Sequence, residues 1–274
     1  MGVSKAGLDW HNSSMLHRVC GVVTRAVDGP VIVVSAPGQE LPRLPAGVMV
    51  VEDPREGRGP MQGVAAGLAT AGQYADAAYV SATDMPLLHP AFVRRVVAEV
   101  DGGAEIVLPE VRGIEQPLAA VYATSVASAA QTLVDYDRVR FRFLFARCTV
   151  RRLDDAELLT DDRLRAADPT LESTLSVDDM ETYAQVRSRP GPQVTIERVG
   201  GLARDVDHGE RPVRAATLAA AATAAGLELS PEVTVAIDGR AVIADPELPL
   251  VPGDHITFTL AAAPTAAGPA TQTA

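Results

Sequence analysis

Residues Tyr79–Leu88 read YVSATDMPLL, a short apolar run that ends at one aspartate and continues through a proline. An apolar run bounded by a turn signal is typical of a buried strand. Asp84 would then lie at the carboxyl end of that strand, and Pro86 would fix the backbone of the loop. Asp84 either caps the turn before a helix or projects into a ligand site at a sheet edge. The strands predicted around it favour the ligand site.

The segments on both sides of this run alternate between strands and helices. Strands are predicted at Val31–Ser35, Val48–Glu52, Ala78–Ser81, Ile106–Pro109 and Ala119–Tyr122. Helices are predicted at Ser13–Val27 (with Ser13 as the cap), Met61–Ala71, Pro90–Val100 and Ser125–Asp135. This alternation predicts an α/β fold whose mainly parallel sheet is covered by helices on both faces.

A different pattern follows a linker rich in proline and glycine, Ser188–Gln193. Beyond it we predict strands at Val194–Val199, Leu202–Val206, Val233–Ile237, Ala241–Ile243 and Ile256–Leu260, a helix at Val213–Ala225, and a hairpin turn at Asp238-Gly239. The chain is therefore expected to have two domains, residues 1–188 and a small α+β domain at 194–260, joined by 189–193. Residues 261–274 are rich in Ala, Pro, Thr and Gly and are predicted to be disordered.

Composition narrows the classes of partner. The net charge of −11 and the pI near 4.9 argue against nucleic acid. No signal peptide or membrane-spanning run is recognisable, which predicts a cytoplasmic protein with no membrane partner. Cys20 and Cys148 are predicted to be buried free thiols, and the five histidines lack metal-ligand spacing. A phosphate substrate would need a local cation, so Asp84 is predicted to hold Mg²⁺.

Two further features fit a phosphate site. Lys5 is the one lysine among 24 basic residues, and it follows Gly2 closely. A lysine is a compact point charge that suits a phosphate oxygen, although one solvated lysine could also persist by chance. Residues Gly57–Gly63 read GRGPMQG, in which Pro60 suits a first helical position and the glycines let backbone approach a ligand. Many loops between strand and helix look similar.

Taken together, five segments resemble the molybdenum cofactor guanylyltransferase (MobA-like) family of nucleotidyltransferases. They are MGVSKA at residues 1–6, Glu52-Asp53, GRGPMQG at 57–63, TDMP at 83–86 and QPL at 116–118, in the family's order. The resemblance implies a Rossmann-like three-layer domain. It also implies that Lys5 contacts the triphosphate, that Asp84 holds Mg²⁺, and that Gly2, Ser35, Asp53 and Gly59 line the nucleotide.

The reaction implied by this resemblance is transfer of GMP from Mg-GTP to the terminal phosphate of molybdopterin, with release of pyrophosphate. Two alternatives stay open. The same fold could use another nucleotide, such as CTP, or another phosphorylated acceptor. The chain could also be a non-catalytic scaffold of cofactor maturation, built on a decayed transferase domain.

Two departures from the family pattern bear on that choice. Residues Ser173–Asp179 read STLSVDD where the family carries N-x-N-T-P-E-D, which removes the paired asparagines on the acceptor side. The chain also starts inside the first motif, so the family's first strand and Gly-rich loop have no counterpart. We expect the natural start to lie upstream of Met1; without that loop, GTP binding should be weak.

The C-terminal pattern resembles ubiquitin-like sulfur carriers of the β-grasp type, on the segments Val235–Arg240 and Leu248–Ile256. Active carriers of this kind end in Gly-Gly directly after the last strand, whereas this chain continues to Thr273-Ala274. The resemblance therefore implies a docking or accessory module, with other cofactor-maturation proteins as its partners.

Overall fold

A computed structural model of the chain describes residues 4–53, 57–200 and 209–260. The fold is mixed α/β. The strands are β1 (Asp9–Trp10), β2 (Ser13–Ser14), β3 (Ile32–Ser35), β4 (Met49–Glu52), β5 (Ala77–Ser81), β6 (Ile106–Val111), β7 (Ile114–Glu115), β8 (Ala119–Ala123), β9 (Val150–Leu153), β10 (Gln193–Val199), β11 (Arg211–Arg214), β12 (Val233–Ile237), β13 (Arg240–Val242) and β14 (His255–Leu260).

Helices connect most of these strands. They are α1 (Met15–Thr24), α2 (Pro60–Ala71), α3 (Pro90–Val97), α4 (Ala127–Asp135), α5 (Phe141–Phe145), α6 (Asp155–Leu158), α7 (Asp162–Ala167), α8 (Met180–Arg187) and α9 (Leu218–Ala224). Single 3₁₀ turns lie at Lys5–Gly7, Val100–Gly102, Thr124–Val126 and Glu172–Thr174. Among the described residues, no helix is long and apolar enough to cross a membrane.

The larger N-terminal sheet departs from the mainly parallel arrangement expected from the sequence. Its order is β5-β8-β6, and β6 also pairs with β7 and β9. Strand β9 runs parallel to β6, but β8 is antiparallel to both β5 and β6. The reversal has a local cause: Arg112 (φ 53°) and Gly113 (φ 73°) turn the chain directly after β6, where a parallel connection would need a crossover helix.

Strands β3 and β4 form a separate parallel pair, in register from Ile32 opposite Met49 to Ser35 opposite Glu52. Within the described ranges β3 pairs with β4 alone and β5 pairs with β8 alone. The outer edges of β3 and β5 therefore carry backbone groups that have no strand partner in that part of the chain.

Helices cover both faces of the larger sheet. Alternate residues of a strand point to opposite faces, so neighbouring residues enter different cores. Val107 and Val121 pack with α1 and α3, whereas Ile106 and Tyr122 pack with α2 and α4. All four side chains are almost fully buried. This two-sided burial matches the helix-covered sheet that the sequence predicts.

The predicted helices exist but are shorter than expected at several ends. Helix α1 begins at Met15 and ends at Thr24, and its cap is Ser14, whose Oγ accepts a hydrogen bond from His17 N at 3.1 Å. The predicted cap Ser13 is instead part of β2. Helix α3 ends three residues earlier than predicted, at Val97.

The C-terminal part has its own sheet, in the order β11-β10-β14-β12-β13, with β10 parallel to β14 and α9 packed on it. The predicted helix at Val213–Ala225 is wrong at its start, because Val213 lies in β11 opposite Val194. Helix α9 begins only after Thr217, whose Oγ caps it. The observed linker is also shorter than predicted, because β10 already begins at Gln193.

The predicted hairpin turn is confirmed: Asp238 and Gly239 have φ values of 51° and 76°, as a tight turn between β12 and β13 requires. The predicted strand Leu202–Val206 and the predicted disordered tail 261–274 lie outside the described residues.

The C-terminal part packs against helix α1. A Cβ atom at Gly21 would lie 2.5 Å from Cδ of Pro249, so only glycine permits this approach. Arg25 forms a bidentate ion pair with Asp254 (2.9 and 2.5 Å), and both side chains are buried. The loop before β14 is thus fixed to the N-terminal part.

Candidate nucleotide site

The centre of the site is Lys5, which lies between two carboxylates from distant parts of the chain. Its Nζ donates to Asp84 Oδ2 at 2.7 Å and to Asp178 Oδ1 at 3.0 Å. The structure therefore brings together the two residues that the sequence predicted as a pair, Lys5 and Asp84. It adds Asp178, which the sequence did not indicate.

The three charges differ in their exposure to solvent. The side chain of Asp84 is 13% exposed and that of Lys5 is 30% exposed, whereas Asp178 is 78% exposed. Burial lowers the pKa of Lys5, but its hydrogen bonds to Asp84 and Asp178 and their negative charges outweigh burial and raise the pKa above the ordinary value. Lys5 is therefore a fixed cation at neutral pH, in a cluster with one excess negative charge.

Asp84 is held where β5 ends. Ala82 N donates to Leu118 O at 2.8 Å, and the carbonyl of Asp84 accepts from Val177 N at 2.9 Å. Leu118 belongs to the QPL segment, whose strand β8 pairs Ala119 with Ser81. QPL thus supports the strand end that carries Asp84, which gives that segment a structural role its sequence alone did not reveal.

The GRGPMQG segment leads into helix α2. Gly57 (φ 81°) and Gly59 (φ 75°, ψ −177°) adopt conformations that residues with a side chain rarely reach. Gly59 is the residue before the first helical turn, and Pro60 occupies its first position as predicted. Arg58 is held aside by an ion pair with Asp137 at 2.7 Å. The start of α2 consequently presents bare backbone, the form in which helices receive anions.

Ser35 and Asp53 meet at a second point, where β3 and β4 end. Asp53 N donates to Ser35 O at 2.7 Å, and the Ser35 side chain is buried. Their predicted contact with the nucleoside stays a prediction. Gly2, the remaining predicted nucleotide residue, lies outside the described residues.

Comparison with protein families assigns the N-terminal part of the chain to a family. The sequence profile of the MobA-like NTP transferase domain matches residues 1–152, more than half of the chain. The chain belongs to this family. It is therefore a nucleotidyltransferase, and the matched residues contain Lys5, Ser35, Asp53, Gly59 and Asp84.

Individual relatives agree with this assignment. A molybdenum cofactor guanylyltransferase of Desulfosudis oleivorans is 28% identical over 180 residues, which cover 66% of this chain and 84% of the relative. A probable molybdenum cofactor guanylyltransferase of Mycobacterium avium is 37% identical over 138 residues, which cover 49% of this chain and 68% of the relative.

The fold is also shared with a solved structure, the molybdopterin-guanine dinucleotide biosynthesis protein A of Archaeoglobus fulgidus. The TM-score is 0.52 at 17% sequence identity, and the match covers 68% of this chain and 90% of the other. At that identity the likeness concerns the fold alone.

The site of this MobA-like domain suits a hard divalent cation. Asp84 Oδ1 is buried and has no hydrogen-bond partner among the residues that the structure describes, while Oδ2 accepts from Lys5 Nζ. A buried carboxylate oxygen without a partner is costly, so its position favours a ligand. Asp84 and Asp178 are oxygen donors, and Mg²⁺ takes one or two carboxylates together with substrate phosphates.

One other group of side chains could hold a metal in the described part of the chain. Glu197, Glu210 and His255 have donor atoms within 4.8 Å of one another, although the sequence spacing of the histidines gave no sign of it. All three lie in the C-terminal part, on or beside β10, β11 and β14. The group is thus separate from Lys5 and Asp84 in the chain.

The segment that departs from the family pattern is built into the site. Ser173 is buried, and its Oγ accepts a hydrogen bond from His89 N at 3.2 Å. Asp178 binds Lys5, whereas Asp179 caps helix α8 by accepting from Thr182 N. The sequence signal for Asp178 was the pair of adjacent aspartates before a helix. Only one of the two can cap the helix, and the sequence alone could not show that the other faces Lys5.

The two cysteines differ from each other. Cys20 is buried, and burial raises the pKa of its thiol to about 12, so it is an inert core residue. Cys148 is only half-buried, which corrects the prediction that both would be buried.

Proposed function

We propose that this protein transfers GMP from Mg-GTP to the terminal phosphate of molybdopterin and releases pyrophosphate. The observation that carries the proposal is the cluster of Lys5, Asp84 and Asp178 at the end of a strand, within a domain of the MobA-like family. The names of the relatives from D. oleivorans and M. avium support molybdenum cofactor biosynthesis as its setting.

Each residue of the cluster has a role in this reaction. An oxygen of the acceptor phosphate attacks the α-phosphorus of GTP, the bond between that phosphorus and the bridging oxygen breaks, and pyrophosphate leaves. Lys5 stabilises the negative charge that grows on the leaving phosphates. Asp84 and Asp178 hold Lys5 in place, and Asp84 Oδ1 is the ligand for Mg²⁺. A divalent cation held there would supply positive charge that offsets the negative charge of the substrate phosphates.

Three other residues complete the proposed nucleotide contacts. The backbone before α2, at Gly59, receives the phosphates. Ser35 and Asp53, which hydrogen-bond each other, face the nucleoside. Gly2 contributes backbone to the phosphates, as the family resemblance implies.

The proposed domain division is residues 1–188 and 193–260, with 189–192 as linker, because Gln193 already lies in β10. The strand order β11-β10-β14-β12-β13, with β10 and β14 parallel and one helix packed across them, supports a β-grasp-type C-terminal domain. The separate hydrophobic core of that part supports an independent unit. In the N-terminal part, the parallel pairing expected of a Rossmann-like domain is found between β3 and β4 and between β6 and β9. The cytoplasmic location stays a prediction.

The proposal is tested by incubating the protein with molybdopterin, Mg²⁺ and GTP, and by measuring pyrophosphate release and formation of the dinucleotide. Activity with GTP should exceed activity with CTP. Lys5→Ala and Asp84→Asn should each abolish turnover while the circular dichroism spectrum stays unchanged.

Three outcomes would contradict parts of this proposal. Preference for CTP would replace the guanylyl assignment by a cytidylyl one. Full turnover by both variants would remove the two residues from catalysis. Binding of nucleotide without any transfer would favour the non-catalytic scaffold.

A further inference from the structure

Arg18, on helix α1, is a buried cation that pairs with no carboxylate within residues 4–53, 57–200 and 209–260. Its side chain is among the most buried of the polar ones, and it stacks near the Trp10 ring at 6.0 Å from the centroid. Burial lowers the pKa of Arg18 to about 10, so the guanidinium is still protonated at neutral pH. A buried charge of this kind must be satisfied by hydrogen bonds.

Those hydrogen bonds join two distant parts of the chain. Arg18 Nε donates to Pro86 O at 2.6 Å, and both terminal nitrogens donate to Leu250 O at 3.3 Å. Pro86 lies two residues after Asp84, in the loop that leaves β5. Leu250 lies in the C-terminal part, 232 residues from Arg18 in the sequence. One planar group therefore links the C-terminal part to the loop that carries Asp84.

A second contact links the same two segments. His89, at the end of the Asp84 loop, has Nδ1 accepting from Ala91 N at 3.0 Å. Its Nε2 therefore carries the proton and donates to Pro252 O at 3.2 Å. The loop from Asp84 to His89 thus meets the stretch Leu250–Pro252 at two points, one through Arg18 and one directly.

Three further polar contacts to this loop come from the N-terminal part. Val177 N donates to the carbonyl of Asp84, His89 N donates to Ser173 Oγ, and Lys5 Nζ donates to Asp84 Oδ2. The C-terminal part therefore takes part in two of these five contacts, directly at His89 and through Arg18 at Pro86. The orientation of Asp84 Oδ1 depends on how firmly this loop is held.

We propose that Arg18 is a positioning residue through which the docked C-terminal part fixes the Asp84 loop, so that this part acts as a clamp on the metal-binding carboxylate. The clamp rests on the proposed function insofar as Asp84 is taken to bind Mg²⁺. An arginine suits this role because its rigid fork presents Nε to one carbonyl while its two terminal nitrogens face another.

The test compares two buried arginines of the same interface. Arg18→Met removes the link to Pro86, whereas Arg25→Met breaks the ion pair with Asp254 and touches no residue of the Asp84 loop. In the full chain, binding of Mn²⁺ is measured by electron paramagnetic resonance, and amide hydrogen exchange is followed over residues 82–89. Neither readout needs nucleotide or turnover.

Arg18→Met should weaken Mn²⁺ binding about tenfold or more, as loss of a support behind a metal ligand does. It should also speed exchange of the amides of Met85, Leu87 and Leu88. Arg25→Met should lower the unfolding temperature and should weaken Mn²⁺ binding clearly less than Arg18→Met does, because Arg18 still donates to Pro86 O in that variant. Arg18→Lys should fall between wild type and Arg18→Met, since one ammonium can hold one carbonyl firmly but not both.

Equal weakening of Mn²⁺ binding by the two methionine variants would overturn the proposal, because the effect would then be general loosening. Unchanged Mn²⁺ binding and unchanged exchange in Arg18→Met would overturn it as well. If Asp84→Asn leaves Mn²⁺ binding unchanged, the metal role of Asp84 fails, and the exchange of residues 82–89 alone decides the clamp.

A second variant keeps the test decisive if Arg18→Met fails to fold. Gly21→Ala places a methyl group against Pro249 and displaces the 249–252 stretch without altering any polar side chain. The clamp predicts faster exchange in the Asp84 loop of this variant. Unchanged loop exchange, with the stretch around Pro249 exchanging faster, would overturn it.

Discussion

The adjacent residues Asp178 and Asp179 show how one peptide unit separates a site residue from a structural one. Asp178 faces Lys5, whereas Asp179 accepts the backbone N–H of Thr182 and begins α8. The hydrogen bond from Thr182 N is the main reason that the pKa of Asp179 lies below its ordinary value. The two carboxylates should therefore respond differently to the same substitution.

We predict that Asp178→Asn lowers kcat for nucleotidyl transfer by about tenfold. Asp178 holds the ammonium of Lys5 in place, and a less firmly held ammonium stabilises the charge on the leaving phosphates less well. The unfolding temperature of this variant should stay near that of wild type. Asp179→Ala should do the opposite, lowering the unfolding temperature through loss of the cap while keeping kcat. Steady-state kinetics and thermal denaturation of both variants check this, and equal effects on kcat would refute the distinction.

His89 gives the fold a pH dependence. Burial is the main cause that lowers its pKa below 6.5, and its Nδ1 must stay unprotonated to cap α3. Below pH 6.5 the unfolded chain binds a proton at this position that the folded chain does not, so the free energy of unfolding decreases as the pH falls. Burial likewise lowers the pKa of His11, which adds a separate contribution of the same sign.

We therefore predict that the unfolding temperature falls between pH 7 and pH 5. In His89→Asn the fall should be shallower, because asparagine keeps a capping acceptor and does not titrate. Thermal denaturation of wild type and variant across this pH range is the measurement. An identical slope in both proteins would show that His89 contributes nothing to it.

At the residue scale the sequence predicted what was local. Asp84 could be found because a strand, an acid and a proline follow one another directly, and Lys5 because it is the one lysine. Asp178 and Arg18 could not be found. Their partners lie 173 and 232 residues away, and such contacts depend on how whole elements pack, which no short pattern encodes.

At the scale of elements, Gly59 controls how helix α2 starts. Its φ of 75° and ψ of −177° are accessible to glycine, and a Cβ there would meet no atom of the described residues within 4 Å. A substitution would thus cost conformational energy without a clash.

We predict that Gly59→Ala weakens nucleotide binding and destabilises the fold by about 1–3 kcal/mol. Gly63 lies inside the same helix, and a Cβ there would make only an ordinary contact with Val34 at 3.9 Å. Gly63→Ala should therefore stabilise the fold slightly, by about 0.5–1 kcal/mol. Chemical denaturation of both variants gives the change in the free energy of unfolding for each. If both changes had the same sign, Gly59 would not have a strained backbone conformation at the start of α2.

Turns were predictable where two residues decide them, as at Asp238-Gly239. The Arg112-Gly113 turn is of the same kind, and reading it would have shown that β8 runs antiparallel. The start of α9 was misplaced for a different reason. Val213–Thr217 reads VRAAT, which has no residue that forbids a helix, and pairing of Val213 with Val194 decides the strand.

At the scale of the whole molecule, the ion pair between Arg25 and Asp254 is a buried polar link between the two parts. The side chains are 9% and 3% exposed. Asp254 also accepts from Val251 N at 2.8 Å, so its charge would stay buried if Arg25 were lost. Breaking one partner of such a pair leaves an uncompensated charge.

We predict that Arg25→Met destabilises the protein by about 3–5 kcal/mol. The double variant Arg25→Met/Asp254→Asn should lose less than the sum of the single variants, because no unpaired charge remains. Calorimetry on wild type, the two single variants and the double variant gives the unfolding free energies for a double-mutant cycle. Additive losses would mean that the two groups do not interact.

The position of the one lysine has a consequence for the chemistry of the whole chain. Among residues 1–274, Lys5 has the one side-chain amine that acylating reagents can modify. Lys5 is protonated and ion-paired, and a protonated amine is a poor nucleophile, so its acylation should be slow as long as Asp84 and Asp178 hold it. The acylation rate of this single side chain would then report, without any added label, whether those two carboxylates still hold it.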